Sequence, residues 1–392
     1  MSAEPTTTVI AEDVLPDYRE KAAAGRIDYV FAGFTLLTLA VGLVMLLSAS
    51  YARAFYEENG SPLGIFIRQL GFSGFGVGAM FVIALLPVFN ERFFEKWSPL
   101  MFFISLVGLA AVLVIGVKVN GSRRWISLGF TNLQPSDFVK YTMVLYFARR
   151  MCTVGKKIGT LRKGVVPYIA WLGVICGLLV LEPHVSACII FIALAGCMMF
   201  QAGTRLRWIA ILLIIAGLAG IFMYKTGFPD DYITERVVVY QDPWGDSQIA
   251  KDKGYQTRQS LIAVGSGGLL GLGLGQSRQK HLYLPEEHND FIFAIVCEEF
   301  GLVGAIIVML LFGILISRGY WLAIKSKSKF SALVIAGITT QLGVQVFLNI
   351  SVVTNLIPCT GISLPLFSYG GSALLCQLGG MGIILALSRG TA

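Results

Sequence analysis

From Phe330 to Ser388 the chain reads FSALVIAGITTQLGVQVFLNISVVTNLIPCTGISLPLFSYGGSALLCQLGGMGIILALS, 59 residues without one charge. A membrane-spanning helix needs about 20 apolar residues, because across roughly 30 Å of hydrocarbon the backbone must satisfy its own hydrogen bonds. The stretch is too long for a single crossing. Pro358, Gly361, Pro365 and the pair Gly370-Gly371 interrupt it, which predicts two helices joined by a non-helical segment.

The same reading extends toward the N-terminus. Charge-free runs fall at Tyr29 to Ala52, Gln69 to Asn90, Trp97 to Val117, Gly164 to Leu181, His184 to Thr204 and Trp208 to Tyr224. A weaker run, Phe138 to Ala148, is broken by Lys140, and Phe291 to Ser317 carries Glu298 and Glu299. The expected fold is an all-α integral membrane protein of ten transmembrane helices, with residues 29–392 as one membrane domain. Residues 1–28 are polar and rich in acids, unlike a signal-peptide n-region, and the first run reads as a retained helix.

Composition agrees. Hydrophobic residues make up 55% and charged residues 14%, with mean hydropathy +0.72, so lipid is the solvent this chain suits. The net charge of +8 is dispersed in short clusters between apolar runs, a pattern of membrane topology rather than of nucleic-acid binding. Seven cysteines without a C-x-x-C pair read as small buried hydrophobes, and three histidines without ligand spacing predict no metal centre. With the N-terminus cytoplasmic, eighteen Lys and Arg fall in cytoplasmic segments. Only Arg53, Arg68, Lys118, Arg123 and Arg124 fall in short outer loops. Both termini are therefore expected inside, and the 66 residues from Lys225 to Asp290 form a large extracytoplasmic loop between the seventh and eighth spans.

That loop ends in Leu284-Pro285-Glu286-Glu287-His288-Asn289-Asp290 and contains glycines at 265, 267, 268, 271, 273 and 275. No nucleotide-binding pattern fits the glycines, which instead predict a tightly folded or re-entrant loop. By position, Asp290 reads first as a helix N-cap. A carboxylate at a membrane surface is also where a general base would meet a lipid-anchored substrate. Glu298 and Glu299 are expected deeper along the helix, with Lys140 as the expected partner and Asp137, three residues before it, as the competitor for that lysine. Arg123-Arg124-Trp125 could clamp a diphosphate or simply anchor the interface. Gln341, Gln345 and Asn349 form one polar stripe, which interhelical hydrogen bonds would explain.

Six motifs occur in order: Gly121-Ser122-Arg123-Arg124-Trp125-Ile126; Gln134-Pro135-Ser136-Asp137 with Lys140; Glu182-Pro183-His184; Gly254-Tyr255-Gln256 with Gln259-Ser260; Asp290-Phe291-Ile292-Phe293 with Glu298-Glu299; and Pro365 followed by Phe367-Ser368-Tyr369-Gly370-Gly371-Ser372. With them the sequence resembles the shape, elongation, division and sporulation family, whose members include RodA, FtsW and SpoVE. Glu182-Pro183-His184 leans to the FtsW and SpoVE branch. Asp137 departs from the glutamate usual at that position, so any contact it makes reaches one methylene less far.

The resemblance implies a peptidoglycan glycosyltransferase in the bacterial cell membrane, acting on lipid II and the growing glycan strand and paired with a class B penicillin-binding protein. It maps the family's essential outer-loop aspartate onto Asp290, overriding the N-cap reading. Arg123, Arg124, Lys140, Arg236, Arg258 and Gln256 become the expected substrate contacts, with Asp137, Glu298, Glu299, Ser368 and Gly370 in support. No cofactor is required, and a divalent cation beside the diphosphate stays open. The rival functions are a lipid II flippase and a non-catalytic scaffold. A flippase would use Glu298, Glu299 and Lys140 as a polar path but gives the long loop no task.

Overall fold

The computed structural model describes residues 26–57, 61–119, 122–127, 129, 132–228 and 232–389. Most of the polar tail expected over residues 1–28 therefore lies outside the described residues, as does Gly121 of the first motif.

The fold is a helical bundle with one small sheet. In chain order the helices are α1 (Tyr29–Glu57), α2 (Gly64–Leu85), α3 (Glu91–Ile115), α4 (Pro135–Val154), α5 (Val166–Leu181), α6 (Val185–Gln201) and α7 (Leu206–Thr226). Three short helices follow, α8 (Tyr232–Gln241), α9 (Gln248–Lys253) and α10 (Tyr255–Ser266). Then come α11 (Ile292–Lys325), α12 (Lys329–Val353) and α13 (Gly371–Ser388). Among the described residues eight helical spans are long and apolar enough to cross a membrane, α5 counting together with the turn before it as Leu161–Leu181, so the chain is a multi-pass membrane protein. The charge-free stretch from Phe330 divides as its prolines and glycines predict, into α12, an irregular segment 354–370, and α13.

Helices α4 and α6 fall outside those eight for physical reasons. The former carries Asp137, Lys140, Arg149 and Arg150, and the latter has only 17 residues. Both are central: α4 buries most of its length and packs on α3, α12 and α13, while α6 packs on α5 and α12. The expected run Phe138 to Ala148 thus becomes a longer helix that starts at Pro135, where proline's missing amide proton costs nothing. The central helices hold the polar side chains. Tyr141 Oη donates to Gln377 Oε1 at 2.7 Å and Gln341 Oε1 at 3.1 Å, and Gln341 Nε2 donates to Gln345 Oε1 at 2.6 Å. Without water, each such group needs a partner inside the bundle. Outer helices such as α7 are apolar all round and almost wholly exposed.

The loops sort to two ends. At one end Asp28 pairs with Arg318 at 2.5 Å, Glu91 accepts from Ser328 at 2.6 Å and Ser331 at 3.1 Å, and Arg389 Nη2 donates to Phe89 O at 2.8 Å. The opposite end holds the sheet, α8 to α10 and segment 354–370. Strands β1 (Val117–Val119), β2 (Ser122–Ser127) and β3 (Asn132–Leu133) are antiparallel in the order β1-β2-β3, with Lys118 opposite Arg123 and Ile126 opposite Leu133. The sequence had suggested only a loop there. The long loop also carries more structure than expected, since α7 runs on to Thr226 and three helices follow.

Helix α11 is broken at Gly301, whose φ of 63° and ψ of −161° suit glycine alone. The break strands four backbone groups, and the glycine-rich loop takes all four. Glu298 O and Glu299 O accept from Leu272 N at 3.0 Å and Gly273 N at 2.9 Å, while Leu302 N and Val303 N donate to Gly268 O at 2.9 Å and Leu269 O at 3.1 Å. A Cβ on Gly271 would run into the Glu299 carbonyl, and one on Gly267 into the Cys297 carbonyl. The glycines serve close backbone approach, as a tightly folded loop requires.

Candidate active site

Asp290 stands just before α11, but it is not the N-cap. That position belongs to Phe291, which makes no side-chain cap bond, so the capping reading is corrected. The Asp290 carbonyl accepts from Asn349 Nδ2 at 2.8 Å, and the same amide donates to Ile362 O at 2.7 Å. The polar stripe on α12 therefore fixes the site as well as joining helices, with Gln345 Nε2 donating to Ser363 O at 3.1 Å one turn below.

The half-buried Asp290 carboxylate makes no hydrogen bond or ion pair among the described residues, whereas those of Glu287, Glu298 and Asp137 are held. It faces Gly361, where a Cβ would sit 3.3 Å from Oδ2. Burial pushes its pKa up to about 6 and the nearby Glu286 charge adds to this, while Arg236, Arg124 and His288 pull it down. This is a poised, unpartnered carboxylate among cations.

The turn carrying it is tied on three sides. Glu287 is fully buried and takes Arg53 Nε at 2.8 Å and Nη2 at 3.0 Å, reaching back to the end of α1. Burial pushes the Glu287 carboxyl up, yet the nearby His288 and the two Arg53 bonds outweigh that and hold it below its ordinary value. Tyr369 N donates to His288 O at 2.9 Å. Ser368 Oγ donates to Asn289 O and accepts from Leu364 N, each at 2.7 Å, and Gly370 N donates to Gln69 Oε1 at 3.2 Å. Ser368 and Gly370 thus brace the wall opposite the turn.

The expected cations separate. Arg236 on α8 donates to Cys359 O, and Arg124 on β2 donates to Pro183 O, and both positive charges act on Asp290. Because successive strand residues face opposite ways, Arg123 points outward and is exposed, and the structure does not bring it to the carboxylate. Arg258 Nη1 donates to Pro243 O at 3.4 Å and Gln256 Nε2 to Pro285 O at 3.3 Å, contacts that brace the loop.

Lys140 pairs with Asp137 at 2.9 Å, both side chains nearly buried. The expected pairing of Lys140 with Glu298 and Glu299 is therefore corrected in favour of its i−3 neighbour. The glutamates are held by the loop instead. Glu298 accepts from Ser277 Oγ at 2.5 Å, Arg278 N at 3.0 Å and Gln279 N at 3.3 Å, while Glu299 pairs with Lys280 at 3.0 Å and takes Ser48 Oγ at 2.6 Å. Their distance from the opposite end is also fixed. Asp28 meets Arg318 at one end and Ser48 meets Glu299 at the other, and 20 residues of helix span roughly 30 Å, the full hydrocarbon thickness.

A cavity of about 50 Å³ beside Lys140 is lined by Gln134, Asp137, His184, Gln345, Gly361 and Ser363, with Asp137 Oδ2 and His184 Nδ1 lacking partners. A larger one, about 160 Å³, lies against Arg236, Lys253, Thr257 and Cys359. Among the described residues no group of three or more His, Cys, Asp or Glu could hold a metal ion.

Known proteins match this arrangement over nearly the whole chain. The profile of the FtsW, RodA and SpoVE proteins, described as "Cell cycle protein", matches residues 29–392. The chain belongs to this family. It is 40% identical over 369 residues to Stage V sporulation protein E of Bacillus subtilis (strain 168), covering 92% of this chain and 97% of that one. It is 37% identical over 379 residues to the probable peptidoglycan glycosyltransferase FtsW of Saccharophagus degradans (strain 2-40), covering 95% of each. Among solved structures, a chain of a peptidoglycan synthase complex that coordinates polymerization and crosslinking superposes with a TM-score of 0.75 at 26% identity, over 93% of this chain and 98% of that one. Thermus thermophilus RodA superposes with a TM-score of 0.68 at 25% identity, over 93% and 97%.

Within this FtsW, RodA and SpoVE chain, several residues around Asp290 escaped sequence reading. Arg53 was counted only as a loop cation, and Glu287 and His288 only as neighbours. Glu182 went unweighed although it is buried, with one oxygen unpartnered; burial pushes its pKa up to about 8, against the pull of Arg124. The one available signal was the crowding of Glu286, Glu287 and His288 directly before Asp290.

Proposed function

We propose that this protein is a peptidoglycan glycosyltransferase that polymerises lipid II into β-1,4 glycan strands, with Asp290 as its general base. The observation that carries the assignment is the partnerless Asp290 carboxylate, raised to about 6 by burial and Glu286 against the pull of Arg236 and Arg124. Such a carboxyl is ionised at neutral pH yet basic enough to accept a proton. The α-linked diphosphate of lipid II becomes a β-linkage by one in-line displacement. The 4-hydroxyl of the partner sugar attacks the anomeric carbon, its proton passes to Asp290, and undecaprenyl diphosphate leaves with the bonding electron pair. Negative charge grows on the leaving diphosphate, and Arg236, Arg124 and Lys140 are the cations that would stabilise it there. Glu298 and Glu299 hold the loop in place rather than meeting substrate.

In this reading α4 and α6 complete ten crossings. Both termini are cytoplasmic, since the end rich in Lys and Arg is the inner one, and Asp290 opens to the outside of the bacterial cell membrane. The likeness to a chain of a synthase complex supports a class B penicillin-binding protein as partner. The test is purified protein given lipid II, with products sized on a gel. Asp290→Asn should insert and fold normally yet polymerise about 10²- to 10⁴-fold more slowly. Native-rate strands from that variant would refute the assignment. Leaflet exchange of lipid II without new glycosidic bonds would instead favour a flippase.

A further inference from the structure

Residues 267–275, GGLLGLGLG, combine two properties that conflict in a loop surrounded by water. Their backbone is knitted into the break of α11, yet the leucines all turn outward, with Leu269 69% and Leu270 80% exposed and Leu272 and Leu274 exposed beside them. No charged residue occurs between Arg258 and Arg278, so nothing in this stretch demands water. The flank that α11 presents to lipid begins where the loop is stitched. Leu302 and Val303, whose amides bond Gly268 and Leu269, are themselves exposed, followed by Ile306 and Ile307. The leucines continue that surface without interruption. Their height also fits, because Glu299, whose carbonyl is part of the stitch, lies a full hydrocarbon thickness from Arg318.

We propose that residues 267–275 are seated in the bilayer, with Leu269, Leu270, Leu272 and Leu274 among the acyl chains of the leaflet on the Asp290 side. Backbone can enter lipid only where its polar groups find partners inside the protein, and the broken helix supplies them for Gly268 O, Leu269 O, Leu272 N and Gly273 N. The exposed leucines then form a lipid-anchoring patch. From the seat the chain passes directly into the Ser277 to Lys280 turn clamped by Glu298 and Glu299, and on to Asp290. The seat therefore sets the height of the carboxylate against the membrane surface. This last step rests on the glycosyltransferase reading, whereas the seating itself does not.

The test places p-benzoylphenylalanine at Leu270 in the full chain, reconstituted in vesicles of phosphatidylethanolamine and phosphatidylglycerol, and scores photoadducts by mass spectrometry. Ile307 serves as the lipid reference and the exposed Asp246 as the aqueous one. Phospholipid adducts at 270 should come within about twofold of those at 307 and exceed those at 246 more than tenfold. A yield at 270 no higher than at 246, or adducts in cells that are to protein rather than lipid, would overturn the seating. For the height, Leu269→Asn with Leu270→Asn should slow polymerisation of long-chain lipid II in vesicles about tenfold, with protein still monodisperse and inserted. An unchanged rate would overturn that link while the adducts still decide the first.

Discussion

Replacing Arg53 with alanine removes the partner of a carboxylate that has no exposed surface. Two bonds, at 2.8 and 3.0 Å, join the Arg53 guanidinium to Glu287, whose side chain is 0% exposed against 20% for Arg53. Breaking one side of a buried, hydrogen-bonded pair costs about 3–5 kcal/mol when the remaining charge is left uncompensated. Here His288 Nδ1 stands 3.7 Å from the same oxygen and the arginine is partly wet, so the loss should sit lower, about 2–3 kcal/mol. The pair holds the turn that carries Asp290, so the loss is felt as misplacement of the base. Expressed in kcat/KM for lipid II, it amounts to roughly 30- to 160-fold. The double variant Arg53→Ala with Glu287→Gln leaves no buried charge. It should recover at least about 1 kcal/mol, roughly fivefold, relative to the product of the single effects. The assay is a double-mutant cycle of polymerisation rates on inserted, monodisperse protein. If the double variant is as slow as the singles multiplied together, Arg53 and Glu287 do not act as a unit and the account of the turn fails.

The rate of polymerisation should fall about tenfold per pH unit below about 6, as Asp290 gains its proton and stops being a base, and should level off above it. Because the Glu286 charge helps raise Asp290, Glu286→Gln should move that acid limb to lower pH in the same profile. Gly301→Ala places a Cβ at a backbone conformation costing about 1–3 kcal/mol for other residues and drives it into Gly271 and Leu269; size-exclusion profiles should show loss of folded protein. Gly361→Ala, at φ +68° and facing Asp290 Oδ2, should keep a monodisperse protein but lower its polymerisation rate, since the added methyl fills the space before the carboxylate.

The spanning helices were legible because hydropathy and length are local properties, and Pro358, Pro365 and Gly370-Gly371 mark where the last charge-free stretch stops being helical. The glycine series and the stripe of Gln341, Gln345 and Asn349 were legible for the same reason: spacing alone predicts close approach and a polar face. What failed was pairing. Lys140 had three acidic suitors at the level of sequence, Glu298, Glu299 and Asp137, and the winner was the neighbour three residues away on the same helix. Glu298 and Glu299 found partners in a loop about 20 residues earlier, and Glu287 found Arg53 across 234 residues, neither of which any periodicity encodes. The N-cap reading of Asp290 failed differently. Position suggested a cap, but the turn places Phe291 there and turns the carboxylate toward Gly361.

A single carboxamide, Asn349, grips Asp290 on one side and Ile362 on the other through the same nitrogen. The Asp290 turn and the Ile362 segment are thereby riveted at one point, and prising them apart would break at least one of the two bonds. If the glycosyltransferase proposal holds, the spacing between these two segments is accordingly expected to stay fixed from one sugar addition to the next.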